Sequence, residues 1–188
     1  MSYYEQYPEL NHKLDIYESL LRKWSASLNL VAKSTLPSIR LRHFEDSMQL
    51  LPFLNKEDKV VDLGTGAGFP GMILAMCGFS VTLVDSDEKK CVFLSNVSRE
   101  TNTPVRVVCS RVEQFVSRET FDIVCSRGVA SLSTLISISK HLISKNHSIG
   151  LFLKGENVDI ELSDISSDRF HKIKSPIQPN SYIIQYRY

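Results

Sequence analysis

The chain has 188 residues, 22 Lys and Arg against 21 Asp and Glu, and 43% hydrophobic content. That length suits one domain with a substantial core, and a charge so nearly balanced neither demands nor excludes a polyanionic partner. No apolar run approaches the ~20 residues of a bilayer span, and the start Met1-Ser2-Tyr3-Tyr4-Glu5-Gln6 lacks the basic and apolar regions of a signal peptide. Cys77, Cys91, Cys109 and Cys125 are widely spaced without a CxxC pair. This pattern points to reduced core thiols in a soluble cytoplasmic protein, and away from a metal site or a disulfide framework.

In chain order, Leu10, Leu14, Tyr17, Leu21, Trp24 and Leu28 recur every three or four residues and predict one face of a long amphipathic helix. A second helix is expected after Pro37, which suits a first-turn position, with Leu41, Phe44, Met48 and Leu51 inward. Between Ser19 and Phe44 the chain carries Arg22, Lys23, Lys33, Arg40, Arg42 and His43 and no acid. Such a run is either a solvated helix face or a polyanion contact. Residues 1–58 thus read as a helical preface, and 59–188 as a second region of different pattern.

From Lys59 onward, short β-rich runs alternate with helical stretches. Strands are expected at 59–63, 80–84, 105–109, 121–125 and 148–153, with helices near 70–77, 87–100, 111–116 and 131–144. Near-continuously apolar strands separated by helices predict a mostly parallel, doubly wound α/β sheet covered on both faces. The tail, 168–174 and 181–187 around Pro176 and Pro179, reads as a hairpin that adds an antiparallel strand at the sheet edge.

The first strand opens into Gly64-Thr65-Gly66-Ala67-Gly68-Phe69-Pro70-Gly71 and then a helix. A glycine-rich turn between strand and helix holds nucleotide-like ligands, because bare backbone comes close and the helix N-terminus follows. The stretch 66–71 satisfies G-x-G-x-x-G, and Asp85 ends the next strand where a carboxylate meets a ribose. A nicotinamide dinucleotide and S-adenosylmethionine are both compatible with that much. Asp62, two residues before the first glycine, favours the second: a carboxylate there can orient the loop and attract an ammonium group, and it repels a pyrophosphate. The long helical preface and the ~35 residues left after the fifth strand, too few for a separate substrate domain, point the same way.

The run Asp62–Gly71 resembles the glycine motif of the bacterial small-subunit rRNA methyltransferase G family. Trp24 with Leu28-Asn29-Leu30, Arg42-His43-Phe44-Glu45-Asp46-Ser47-Met48, Val84-Asp85-Ser86, Ser110-Arg111-Val112-Glu113, Phe121–Arg127 and Leu153-Lys154-Gly155 match further blocks in order, so the resemblance runs from about residue 20 to 155. It implies a class I S-adenosylmethionine-dependent methyltransferase (Rossmann-like) fold with an N-terminal helical extension, and N7 methylation of one guanosine in 16S rRNA. It implies cofactor contacts at Gly64, Phe69, Val112, Glu113 and Arg127, beside Gly66, Gly68 and Asp85 from the reading of the turn. Arg22, Lys23, Lys33, Arg40, Arg42, His43 and Lys154 become candidates for RNA contact, and a monomer is expected. Guanine N7 has a lone pair and no proton to lose, so no catalytic base is expected. An Arg that touched the target guanine at N7 would block it. The alternatives are a methyltransferase for another RNA, a protein or a small molecule, an NAD-dependent oxidoreductase, and an RNA-binding module without catalysis.

Overall fold

A computed structural model describes residues 3–143 and 148–188. A single turn, α1 (Tyr3–Gln6), precedes α2 (Leu10–Trp24), which buries Leu10, Leu14, Tyr17 and Leu21. Each of these side chains contributes on the order of 1.5–3 kcal/mol by leaving water. The helix ends at Trp24, so Leu28 lies beyond it in a turn and is only half-buried.

The second helical stretch departs from expectation. A 3-10 segment, Lys33–Ser38, contains Pro37 and runs into a π-helical turn, Arg40–Glu45, and then α3 (Asp46–Met48). A π turn takes more residues per revolution than an α turn. Five residues therefore separate Ile39 and Phe44 on the inner face, both buried, while Leu41 is turned out at 47% exposure. The spacing that made Leu41 an inward residue assumed a uniform α-helix.

The sheet follows: β1 (Lys59–Leu63), α4 (Gly71–Met76), β2 (Ser80–Asp85), α5 (Glu88–Glu100), β3 (Arg106–Cys109), β4 (Ile123–Arg127), α6 (Leu132–Ser139), β5 (Ile149–Lys154), α7 (Val158–Leu162), β6 (Phe170–Lys174) and β7 (Tyr182–Arg187). Strand order is β3-β2-β1-β4-β5-β7-β6. The first five strands are parallel, β7 runs antiparallel to both β5 and β6, and the hairpin closes that edge. The chain reverses direction in strand order between β1 and β4, which opens a crevice at the C-terminal ends of these strands.

Each strand's alternating side chains feed two cores. On one face Val60, Val81, Leu83 and Ile123 pack with α2, α4 and α5; on the other Val61, Val84, Val124 and Phe152 pack with α6 and α7. β3 is an outer strand with half-buried central residues, so Cys109 is exposed and not a core thiol. Asp87 caps α5 by accepting from the backbone N–H groups of Lys89 and Lys90. The expected 111–116 helix is a single 3-10 turn, Val112–Gln114, and the expected 131–144 helix ends at Ser139, with residue 144 outside the described ones. The short α7 was not anticipated from its sequence, five residues being too few to show a period. Among the described residues, no helix is long and apolar enough to cross a membrane.

Candidate active site

The glycine turn is braced from three sides. Fully buried Asp62 accepts from Gly71 N at 2.9 Å and from Thr65 Oγ1 at 2.5 Å, tying the end of β1 to the start of α4. Burial raises its pKa to about 7, with Thr65 and Gly71 opposing the rise. Asp62 therefore orients the loop, as its position suggested, but it does not line the cleft that a ligand's ammonium group would enter. Asp85 Oδ2 accepts from Gly66 N at 2.8 Å and Oδ1 from Asp87 N at 2.9 Å. From beneath, Tyr17 of α2 donates its hydroxyl to Ala67 O and stacks on Phe69 at 5.5 Å.

Two glycines in this turn do different work. Gly66 (φ +61°) lines the cleft, and a Cβ built there would have no atom closer than 3.9 Å, so it would project into open space. Gly68 (φ +103°) faces inward: a Cβ would stand 2.6 Å from Tyr17 Oη and 2.8 Å from Leu94. Of the residues expected to approach a cofactor, Gly68 is the one that does not border the cleft and packs against Tyr17 and Leu94.

Above the turn lies a cleft of about 480 Å³. Gly64, Gly66, Phe69, Asp85, Val112, Glu113 and Arg127 all border it, as do Ser86, Lys90, Ser110 and Val129. The sequence reading missed Val129, whose methyls sit 2.6–2.8 Å from where a Gly64 Cβ would be, and which follows β4 on a loop with no periodic signal.

Arg127 is the joint between this cleft and the helical preface. Nη1 donates to Asp46 Oδ2 at 2.9 Å and to Arg42 O at 3.3 Å, while Nη2 donates to His43 Nδ1 at 2.9 Å. Its guanidinium lies 4.9 Å from the Phe69 ring centre, and His43 stacks on the same ring at 5.0 Å. With Nδ1 accepting, His43 carries its proton on Nε2 and donates to Thr35 Oγ1 at 2.9 Å. Burial first, then the Arg127 and Arg42 charges, lower the His43 pKa to about 3, so the ring is neutral. Asp46 thus fixes Arg127.

The residues expected to contact RNA are scattered in role. Lys23, Lys33 and Arg42 are exposed. Arg22 pairs with Glu18 at 2.8 Å, and Arg40 with Asp15 at 2.5 Å and Glu18 at 2.9 Å, because α2 places these earlier acids beside the acid-free run. His43 is buried against Phe69, and Lys154 is buried where Nζ meets Glu161 Oε2 at 2.7 Å and Ala130 O at 2.5 Å. For Arg22, Arg40, His43 and Lys154 a phosphate would have to displace a partner already in place.

The chain matches the model of the family described as rRNA small subunit methyltransferase G over residues 10–178. A ribosomal RNA small subunit methyltransferase G from Paramagnetospirillum magneticum is 43% identical over 158 residues, covering 82% of this chain and 76% of that one. One from Rhodospirillum centenum is 39% identical over 178 residues, 92% of this chain and 82% of the relative. Among solved structures, magnesium protoporphyrin IX methyltransferase from Synechocystis with bound S-adenosylmethionine superposes with a TM-score of 0.65 at 17% identity, covering 92% of this chain and 97% of that one. A TehB-like S-adenosylmethionine-dependent methyltransferase from Corynebacterium glutamicum gives 0.60 at 15% identity, covering 94% and 97%. The fold is that of class I S-adenosylmethionine-dependent methyltransferases.

Proposed function

Because the chain belongs to the rRNA small subunit methyltransferase G family, we propose that it transfers the methyl group of S-adenosylmethionine to N7 of one guanosine in 16S rRNA. The observation that carries this reading is the meeting of the block Arg42–Asp46 with the turn Gly64–Phe69 on a single side chain, Arg127. The two most distinctive stretches of the sequence share one site.

The residues around the cleft fit S-adenosylmethionine. Two N–H groups at the turn, Gly66 and Gly71, are already donated to Asp85 and Asp62, and a pyrophosphate in the cleft would face the Asp85 carboxylate. That arrangement speaks against a dinucleotide. Asp85 would accept from ribose hydroxyls with its remaining lone pairs, Val112 and Glu113 would offer an apolar wall and a polar edge to adenine, and the bare backbone at Gly64 and Gly66 would flank the methionine portion. The cofactor, when bound, supplies an electrophilic methyl on a sulfonium. The protein's share is to position the acceptor, exclude water and keep its own charges fixed. Neutral His43 and paired Asp46 take no proton in this scheme, and N7 has none to give. Arg127, with both terminal nitrogens committed within the protein, is held off a guanine N7.

We read residues 1–58 and 59–188 as one compact unit, since Tyr17 of the preface supports the turn itself. One chain carries every residue assigned here, so a monomer acting in the cytoplasm on ribosomal RNA suffices. The test is incubation with cofactor tritiated on the methyl and either naked rRNA, small subunits or free proteins. Label in small-subunit RNA is expected; label in protein but never in RNA would sink the assignment.

A further inference from the structure

Beside the cofactor cleft lies a second pocket of about 260 Å³, and the two share His43, Arg127 and Gly128. We propose that this pocket receives the acceptor purine of the RNA, and that the turn between β6 and β7 reads its Watson–Crick edge. The proposal rests on the methyltransferase reading above and names where its second substrate sits.

Position is the first argument. The pocket is bounded by the C-terminal ends of β4 and β5, at Arg127 and at Leu153-Lys154-Gly155, the side of an open α/β sheet where ligands bind. The two cavities meet at His43, Arg127 and Gly128, and around Gly128, where a Cβ would meet nothing within 4 Å, a base held here can present one edge to a methyl donor held there.

The second argument is construction. Of the cations around the pocket, Arg127 and Lys154 are paired with Asp46 and Glu161, and Arg42 at its rim is exposed. Arg42 ties the helical preface to the β6–β7 turn at the rim: it donates to Gln178 Oε1, and Gln178 Nε2 donates to Leu41 O at 3.1 Å. The turn is itself fixed. Ser175 Oγ accepts from Ile177 N at 3.2 Å and Gln178 N at 3.0 Å, and Ser175 N donates to Ser181 O at 2.8 Å. Ser181 and Tyr182 line the pocket, and their hydroxyls make no hydrogen bond among the described residues. A rigid turn with unspent hydroxyls beside the exposed Arg42 suits a polar ring attached to a phosphodiester chain.

The third argument is protonation. Asp46 is spent on Arg127 and on Gln49, and His43 accepts from Arg127 and donates to Thr35. The pocket's carboxylate and imidazole therefore have no capacity to remove a proton. An amine or hydroxyl acceptor must lose one on methylation; a purine N7 does not. With N7 toward Gly128, N1–H and the 2-amino group of guanine point away from it, toward the Ser181 hydroxyl, which accepts or donates, and Gln178 Oε1, which only accepts. Adenine has no 2-amino group to offer Gln178 Oε1, whose amide is oriented by its bond to Leu41 O, so that acceptor discriminates between the purines while the Ser181 hydroxyl serves either N1.

The experiment compares wild type, Ser181→Trp and Ser181→Ala, with tritiated methyl transfer to small-subunit rRNA and cofactor affinity by calorimetry. Ser181 is half-exposed on the turn, so both side chains are tolerated by the fold. Filling the pocket in Ser181→Trp is expected to lower transfer at least 100-fold with the cofactor Kd within threefold of wild type, and Ser181→Ala to raise the RNA KM about 5-fold at similar kcat. Transfer by Ser181→Trp within threefold of wild type, or equal loss of cofactor binding, overturns the proposal. Were wild type to label another nucleic acid, and Ser181→Trp to block that labelling, the rRNA assignment would fail and the pocket would stand.

Discussion

Alanine at Gly66 and at Gly68 should separate binding from stability, although the two glycines lie two residues apart in one motif. At Gly68 the backbone conformation, φ +103°, is one that alanine holds only under strain of roughly 1–3 kcal/mol. Its Cβ would also stand 2.6 Å from Tyr17 Oη, 2.8 Å from Leu94 and 2.9 Å from Met72. All three lie in a fully buried layer, where overpacking costs a further ~1–3 kcal/mol. Gly68→Ala should therefore lose about 2–6 kcal/mol in urea unfolding at unchanged slope, a large share of a domain's stability. Gly66→Ala meets nothing within 3.9 Å, so it should lose only the roughly 1–2 kcal/mol of a left-handed alanine, while its methyl enters the cleft and weakens S-adenosylmethionine binding at least 10-fold by calorimetry. Adding Tyr17→Phe should recover part of the Gly68→Ala loss by removing the nearest clashing atom, so the pair should be less than additive. Equal stability losses for the two alanines, or additive behaviour of the Tyr17 pair, would refute this division of labour.

Asp46→Asn leaves the Arg127 guanidinium without its ion partner at 21% side-chain exposure. Loss of about 2–3 kcal/mol in unfolding and at least a 10-fold fall in methyl transfer are expected; an unchanged rate would show that Arg127 needs no anchoring. Burial holds the folded-state Asp62 pKa near 7 against 3.8 in a free side chain. The raised value means that its contribution is complete below about pH 4 and lost as pH rises through 7, up to about 4 kcal/mol. Wild type should thus lose stability relative to Asp62→Asn between pH 4 and 8, and a constant difference across that range would contradict the assignment. For Lys23 and Lys33, which make no ion pair among the described residues, each alanine should reduce the slope of log RNA affinity against log salt by about 0.7–0.9. Arg22→Ala should change it less, because Glu18 already neutralises that side chain.

What the sequence disclosed and what it withheld follow one physical division. Strands β1, β2, β4 and β5 announced themselves because each is buried on both faces and is apolar along most of its length. Glycine spacing and strand-end acids marked the cleft because ligand proximity constrains residue type locally. Direction, by contrast, is set by tertiary partners. The inward aim of Gly68 depends on Tyr17, 51 positions earlier, and the exposure of Leu41 on a π turn with no sequence signature. The run from 19 to 44 looked unopposed because Asp15 and Glu18 lie just outside it, yet helix geometry brings them alongside Arg22 and Arg40. Arg127's bond to Asp46 spans 81 positions, and the wall supplied by Gln178 lies 136 from Arg42; neither leaves a local pattern.

The central claim is that one guanosine of 16S rRNA is methylated at N7. A 7-methylguanosine carries a cationic imidazolium ring that borohydride reduces and aniline then cleaves at the sugar. Small-subunit RNA treated with the protein and S-adenosylmethionine should therefore yield a single new strand break, absent without cofactor and weaker at limiting cofactor when Gly66→Ala replaces the wild-type protein. Tritium incorporated into that RNA with no aniline-sensitive break, or breaks at many guanosines, would contradict the account.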